Sequence, residues 1–175
     1  MIRTFIIAVA VAVAGLASLS AAAAHAAPAQ QKVVRHAATP PGLILQAVTV
    51  APKATTIYLS GQLPAPLDPA SKTPMAAMTA ADFGDTRTQT LSVLGKIQTI
   101  LAAQGFKMSD VIKLTVFLAG DTKLGGKMDF AGMNDAFKTF FGTPENPSTV
   151  ARSTVQVAAL VAPAFLVEIE AIAAK

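Results

Sequence analysis

Two ionisable residues near the end of the chain have the types and the setting to handle a small anion. Arg152 opens one alternating segment, and Glu168 lies inside the next, Phe165 to Ala173. A guanidinium presents a planar fork of donors that matches a carboxylate. A carboxylate held nearby can position and polarise a water. Two consecutive strands would deliver the pair into one small site for an anionic, hydrolysable molecule. Side chains alternate along a strand, so Glu168 and Glu170 should share a face while Val167, Ile169 and Ala171 take the other. Earlier in the chain, Ser60 places a hydroxyl at a strand end, and Gly61 leaves room for close backbone approach.

The inventory excludes several other chemistries. There is no cysteine, hence no thiolate nucleophile, disulfide or cysteine metal site. The two histidines are His25 and His36, both ahead of the expected core, so none remains for a catalytic triad or a metal cage. No glycine-rich phosphate loop is present. Fourteen basic and ten acidic residues give a net charge of +4, too mild and too scattered to call for a nucleic-acid partner. The expectation is a site without metal or cofactor.

The elements that must position these groups follow from pattern. At 175 residues a single domain is the default. Arg3, the apolar run Phe5 to Ala14 and the small-residue stretch ending Ala24-His25-Ala26 read as a secretory signal peptide over residues 1–26. That run is short for a membrane span, so the expectation is cleavage before Ala27, export to the periplasm and no membrane contact afterwards. Residues 27–41 read as a flexible lead-in, and 42–175 as the domain. Leu43 to Val50 and Thr56 to Ser60 look like a hairpin. Leu63 to Phe83 carries four prolines and reads as a long loop. Asp85 to Ala103 reads as a helix, with Asp85 as N-cap and Gly105 just beyond its end. Its expected buried stripe is Leu91, Leu94, Gln98 and Leu101, widened by Ile97 and Ile100. Val111 to Leu118 reads as a strand and Phe130 to Phe141 as a second helix, with final strands near Ser153 to Ala158 and Phe165 to Ala173. The order ββαβαββ indicates an α+β fold with both helices on one face of a mixed sheet. The other face then needs cover, and self-association is one way to provide it.

Four segments, in order from Gly42 to Ala173, resemble the Rid (YjgF-like) family of reactive-intermediate deaminases. They are Y-L-S-G-Q-L-P at Tyr58 to Pro64, G-D-T-R-T-Q-T at Gly84 to Thr90, D-F-A-G-M-N-D-A-F-K-T-F-F-G at Asp129 to Gly142, and Ala151 to Lys175. The resemblance implies a chorismate-mutase-like fold, usually a homotrimer with its sites in the clefts between subunits. It implies hydrolysis of a small carboxylate-bearing 2-imino or enamine acid to a 2-keto acid and ammonia. No cofactor is needed, because a C=N carbon is already electrophilic. Under it, Arg152 binds the substrate carboxylate and Glu168 orients the water. Ser60, Gly61 and the backbone at Thr154 support the nitrogen and the water, and Asn134 lines the site. Thr154 stands where many relatives carry cysteine. Ile44 stands where many carry tyrosine, which makes the pocket more apolar there. The alternative is a non-catalytic ligand-binding or holdase-like module on the same fold. A third reading, RNA cleavage, finds no histidine or basic run in the core and few aromatics to stack bases.

Overall fold

The structure, a computed structural model, describes residues 32–175. The expected leader and the first part of the lead-in lie outside the described residues. Strands β1 (Val33–His36), β2 (Ala47–Val50), β3 (Thr56–Gln62), β4 (Val111–Ala119), β5 (Ala151–Val157) and β6 (Val167–Ala174) combine with helices α1 (Thr86–Ala103) and α2 (Phe130–Phe137). β1 and β2 form a two-stranded antiparallel sheet. The main sheet has the order β3-β6-β4-β5. β6 runs antiparallel to both β3 and β4, while β4 and β5 are parallel.

This topology is two crossover units sharing a sheet. Parallel strands need a crossover connection, commonly a helix. α2 carries the chain from β4 to β5, and α1 carries it from β3 to β4. β3 and β4 leave a gap between them that the last strand, β6, fills. The C-terminal strand thus ends at the centre of the sheet, and Glu168 travels with it.

One face of the sheet is buried under the helices. Leu114, Val116 and Leu118 of β4 and Val167, Ile169, Ala171 and Ala173 of β6 pack into one core with Val93, Leu94, Ile97 and Leu101 of α1 and Met133 and Phe137 of α2. Full burial of such side chains contributes roughly 1.5–3 kcal/mol each. That outweighs helix capping at about 1 kcal/mol per cap, so packing fixes the helices and capping sets where they start. The Asp85 carboxylate accepts from Thr88 N–H at 2.8 Å at the start of α1, a bond that holds its pKa below the ordinary value. Gly105 follows α1 with φ of +73°, a conformation that favours glycine. Among the described residues no helix is long and apolar enough to cross a membrane.

The α+β class, the mixed sheet and the two helices on one face match expectation; four details differ. The hairpin expected between 43–50 and 56–60 does not form: β2 pairs with β1, and β3 pairs with β6. The segment expected to be flexible contains β1. Arg35 explains why. Its Nη1 donates to the carbonyls of Val111 and Thr149, both at 2.9 Å, and its Nη2 to that of Ser109 at 2.6 Å. One side chain thereby fastens the β1–β2 hairpin to the starts of β4 and β5. The buried stripe of α1 runs through Gln89, Val93, Leu94, Ile97 and Leu101, and Gln98 is exposed. Finally, α2 ends at Phe137, and Lys138 to Phe140 continue as turns before a bend at Phe141 and the left-handed Gly142.

Arg35→Ala is expected to lower unfolding free energy by about 2–3 kcal/mol, because three carbonyls lose a charged donor at once. Arg35→Lys should recover less than half, since an ammonium cannot span three acceptors with the same fork. Urea denaturation of the three proteins checks both values.

Candidate functional site

Strand register decides where each expected site residue points. Arg152 sits beside Leu114, and Thr154 beside Val116. Leu114 and Val116 are core residues under the helices, so Arg152 and Thr154 project to the helix side. Glu168 sits beside Phe117, out of phase with that core set, and projects to the open face with Glu170. Arg152 and Glu168 of one chain therefore do not converge on one crevice, contrary to the simplest reading of their spacing. The structure divides the candidate residues into two groups.

The first group surrounds Arg152. The Asp129 carboxylate caps α2 by accepting from Gly132 N–H at 2.9 Å. The helix then presents Phe130, Met133, Asn134 and Phe137 at i, i+3, i+4 and i+7, one continuous stripe. Arg152 lies against that stripe. Its Nη2 donates to Asn134 Oδ1 at 2.6 Å, and its Nη1 approaches the Met133 sulfur at 3.7 Å. Its guanidinium carbon is 4.4 Å from the Phe137 ring centroid and 6.0 Å from that of Phe130. Phe137 is itself stacked on Phe141 at 4.7 Å, which holds the platform rigid.

The electrostatics of this group are one-sided. Burial lowers the Arg152 pKa, and desolvation is its only resolved cause. The group still carries its charge at any working pH. Among the described residues no carboxylate pairs with it; the one ion pair there joins Lys138 to Asp135. Asn134 and the aromatic faces orient the cation without neutralising it, leaving it complementary to an incoming anion. Thr154, two residues along the same strand, has a buried hydroxyl with no hydrogen-bond partner. Ile44 lies one residue before Leu45, whose N–H donates to Val150 O at 2.9 Å and which bridges Ala151. Ile44 is partly buried against the main core, flanking the start of the arginine strand.

The second group surrounds Glu168. β3 pairs Leu59 with Ala171 and then Gln62 with Ile169, so three steps along β3 match two along β6. The extra residue makes a bulge at Ser60–Gly61, a device that re-aims side chains and often borders sites. A Cβ placed on Gly61 would lie 2.8 Å from the Glu168 carboxyl carbon and would strike the carboxylate itself. Glycine at 61 is the condition for Glu168 to lie where it does. Ser60 is exposed on the same open face.

Met133 and Phe137 are core residues that also wall the guanidinium, a role signalled only by their helical spacing from Asn134. The pattern of residues gave no role to Gln89, which is fully buried and whose carboxamide bonds Gly84, Ala164 and Leu166. A glutamine inside an otherwise apolar helix stripe was the trace it left.

The family model described as Endoribonuclease L-PSP matches residues 45–175. The chain is 34% identical over 119 residues to the 2-iminobutanoate/2-iminopropanoate deaminase of Salmonella typhimurium, covering 68% of this chain and 79% of that protein. The solved structure of a Rid-family protein of unknown function from Yersinia pestis superposes with a TM-score of 0.59 at 21% identity, over 83% of this chain and all of the other, a likeness of fold. The structure of Escherichia coli TdcF with bound serine superposes with a TM-score of 0.50 at 31% identity, over 81% of this chain and 93% of that one.

Gly61→Ala is expected to fold, to cost about 1 kcal/mol, and to turn the Glu168 carboxylate away. The double variant Gly61→Ala/Glu168→Ala should recover most of that cost, a coupling near 1 kcal/mol. A double-mutant cycle by chemical denaturation measures it; strictly additive losses would show that the two side chains do not meet.

Proposed function

The chain belongs to the Rid family, whose model carries the description Endoribonuclease L-PSP, and we propose that it hydrolyses small 2-imino acids at a site completed by a second copy of itself. The observation that carries this reading is the partly buried Arg152 guanidinium, oriented by Asn134 and Phe137 and matched by no carboxylate among the described residues. Two opposite unit charges 4 Å apart attract by about 4 kcal/mol at an effective dielectric near 20, before desolvation is subtracted. A bound carboxylate would supply the missing charge.

In the proposed reaction the substrate carboxylate lies in the Arg152 fork, with its short side chain toward Ile44. Glu168 holds a water and takes a proton from it as the water oxygen bonds to the C=N carbon. The C=N electron pair moves to nitrogen, which takes up the proton that Glu168 removed from the water. Collapse of the resulting carbinolamine expels ammonia and leaves the 2-keto acid. An enamine substrate first takes a proton on carbon to become the imine. Ser60 and the chain at Gly61 support the nitrogen. Thr154 contributes through its backbone, as its hydroxyl is buried.

The partner copy enters because Arg152 and Glu168 project from opposite faces of one sheet. The open face carries Phe117, Val155, Val157 and Ile172 beside Lys113, Glu168 and Glu170. Val155 and Tyr58 are strongly exposed there. β5 is an edge strand. A closed ring, which we take to be a trimer, would cover the open face and bring Ser60, Gly61 and Glu168 of one copy to Arg152, Asn134 and Thr154 of the next.

A second reading, ligand binding without turnover, draws on Ile44, which offers no hydroxyl to the polar end of a substrate. RNA cleavage draws nothing from the geometry: His36, the one histidine among the described residues, bonds Thr49 Oγ1 across the β1–β2 hairpin at 2.9 Å.

The test generates 2-imino acids from amino acids with an amino-acid oxidase, in competition with semicarbazide. The protein should divert imine to 2-keto acid. Arg152→Ala should lower kcat/KM by about 100-fold through lost carboxylate binding, and Glu168→Gln should lower kcat by about 100-fold or more. Product binding by the wild type with no gain in hydrolysis would favour the second reading.

A further inference from the structure

β6 begins without a strand on one of its sides. The last β3–β6 pair is Gln62 with Ile169, after which β3 departs into the long loop. On the other side the ladder continues: Ala119 N–H donates to Leu166 O at 3.0 Å. Just ahead of β6 the Ala164 carbonyl and the Leu166 N–H lie in a buried setting, where an unpaired backbone group is costly.

Gln89 of α1 satisfies both groups. Its Oε1 accepts from Leu166 N–H at 2.8 Å, and its Nε2 donates to Ala164 O at 3.1 Å. A carbonyl and the N–H two residues on are the groups that one residue of a neighbouring parallel strand would engage. The carboxamide has the donor and acceptor of a peptide group, and here it engages both backbone groups at once. Its second N–H donates to Gly84 O at 3.0 Å, tying the arrangement to the residues just ahead of α1.

The long loop reinforces the same point. Phe83 is fully buried and meets Phe165 edge-on, with ring centroids 4.9 Å apart. Leu63, Met78 and Leu160 pack around that pair. The start of the loop is pinned to α1 by Lys96 Nζ on Leu63 O at 2.7 Å and by Ser92 Oγ, which accepts from Ala65 N–H at 2.9 Å. The loop is a packed buttress against the residues that lead into β6.

We propose that Gln89 is a positioning residue: through Leu166, two residues before Glu168, it fixes the height and direction of the Glu168 carboxylate against Gly61. The catalytic part of this proposal rests on the imine-hydrolysis reading; the positioning part does not. A shape-matched variant without the amide, Gln89→Met, should free the Leu166 amide, while Arg152 and its α2 platform stay in place. Substrate binding would then persist and water attack would suffer.

The experiment compares wild type, Gln89→Met, Gln89→Glu and Ile97→Val at a temperature where all are folded. Ile97 is buried on the same helix without touching Ala164 or Leu166 through hydrogen bonds, so Ile97→Val controls for general loosening. In Gln89→Met, kcat should fall about tenfold with KM within about twofold, as expected when a reacting group is misplaced. Amide exchange at Leu166 should accelerate about tenfold or more, and the carboxyl carbon NMR signal of Glu168 should move. Gln89→Glu keeps the acceptor for Leu166 but not the donors, and should fall between. If Gln89→Met does not fold, Gln89→Asn, too short to span both backbone groups, takes its place. Unchanged Leu166 exchange, an unmoved Glu168 signal, or an equal kcat loss in Ile97→Val would overturn the proposal. If the wild type turns over no imine, that counts against the proposed function, and the exchange and NMR results alone decide the positioning.

Discussion

The register of β4 against its two neighbours is the constraint on which the rest depends. Leu114 stands beside Arg152 on one side, and Phe117 stands beside Glu168 on the other. Those positions on β4 are three apart, an odd number, so their side chains leave opposite faces of the sheet. No rotamer of Arg152 or Glu168 undoes that parity. A shift of one residue would, but it would also turn Leu114, Val116 and Leu118 out of the core. The hydrophobic core thereby enforces the separation of the two charged groups. A site that uses both must be assembled between molecules, and a sheet with one bare face and one open edge has the surfaces to do so.

Each half of the proposed site is held by contacts that do not involve the other. The arginine half is made by α2: one capped turn and one stripe deliver an amide acceptor, a sulfur and two aromatic faces to a guanidinium that burial has already partly stripped of water. The carboxylate half is made by backbone irregularity: a bulge, a glycine and a side-chain amide bonded to the chain just ahead of β6. In the proposed reaction a rigid cation and a positioned acid would suit their roles, since the first would meet a charge already present in the substrate and the second one that develops.

Much of this was legible in the residues, and what was not has a common cause. Helix starts and stops are local, so Asp85 and Gly105 could be read directly, although α2 ends four residues earlier than its pattern suggests. The strand Val167 to Ala174 alternates cleanly, and its two acids share a face as the alternation requires. β1 could not be read, because Val33 to His36 is short and sits among alanine, glutamine and proline. It becomes a strand through Arg35, whose carbonyl partners lie more than seventy positions away. The hairpin expected between β2 and β3 failed for the same reason: adjacency in sequence suggested it, and distant partners outcompeted it. The opposed faces of Arg152 and Glu168 are a property of register, which depends on which strands become neighbours. Gln89 hid because a polar residue in a helix stripe has many meanings until its acceptors are known.

The claim that one working site needs two chains is tested most directly by subunit mixing. Arg152→Ala and Glu168→Ala chains are each expected to be inactive. Co-expressed and randomly assembled in a closed ring, they should recover about a quarter of wild-type activity per chain, the fraction of junctions at which an intact arginine meets an intact acid. Mixed assemblies that form and remain as inactive as the two parents would contradict the account.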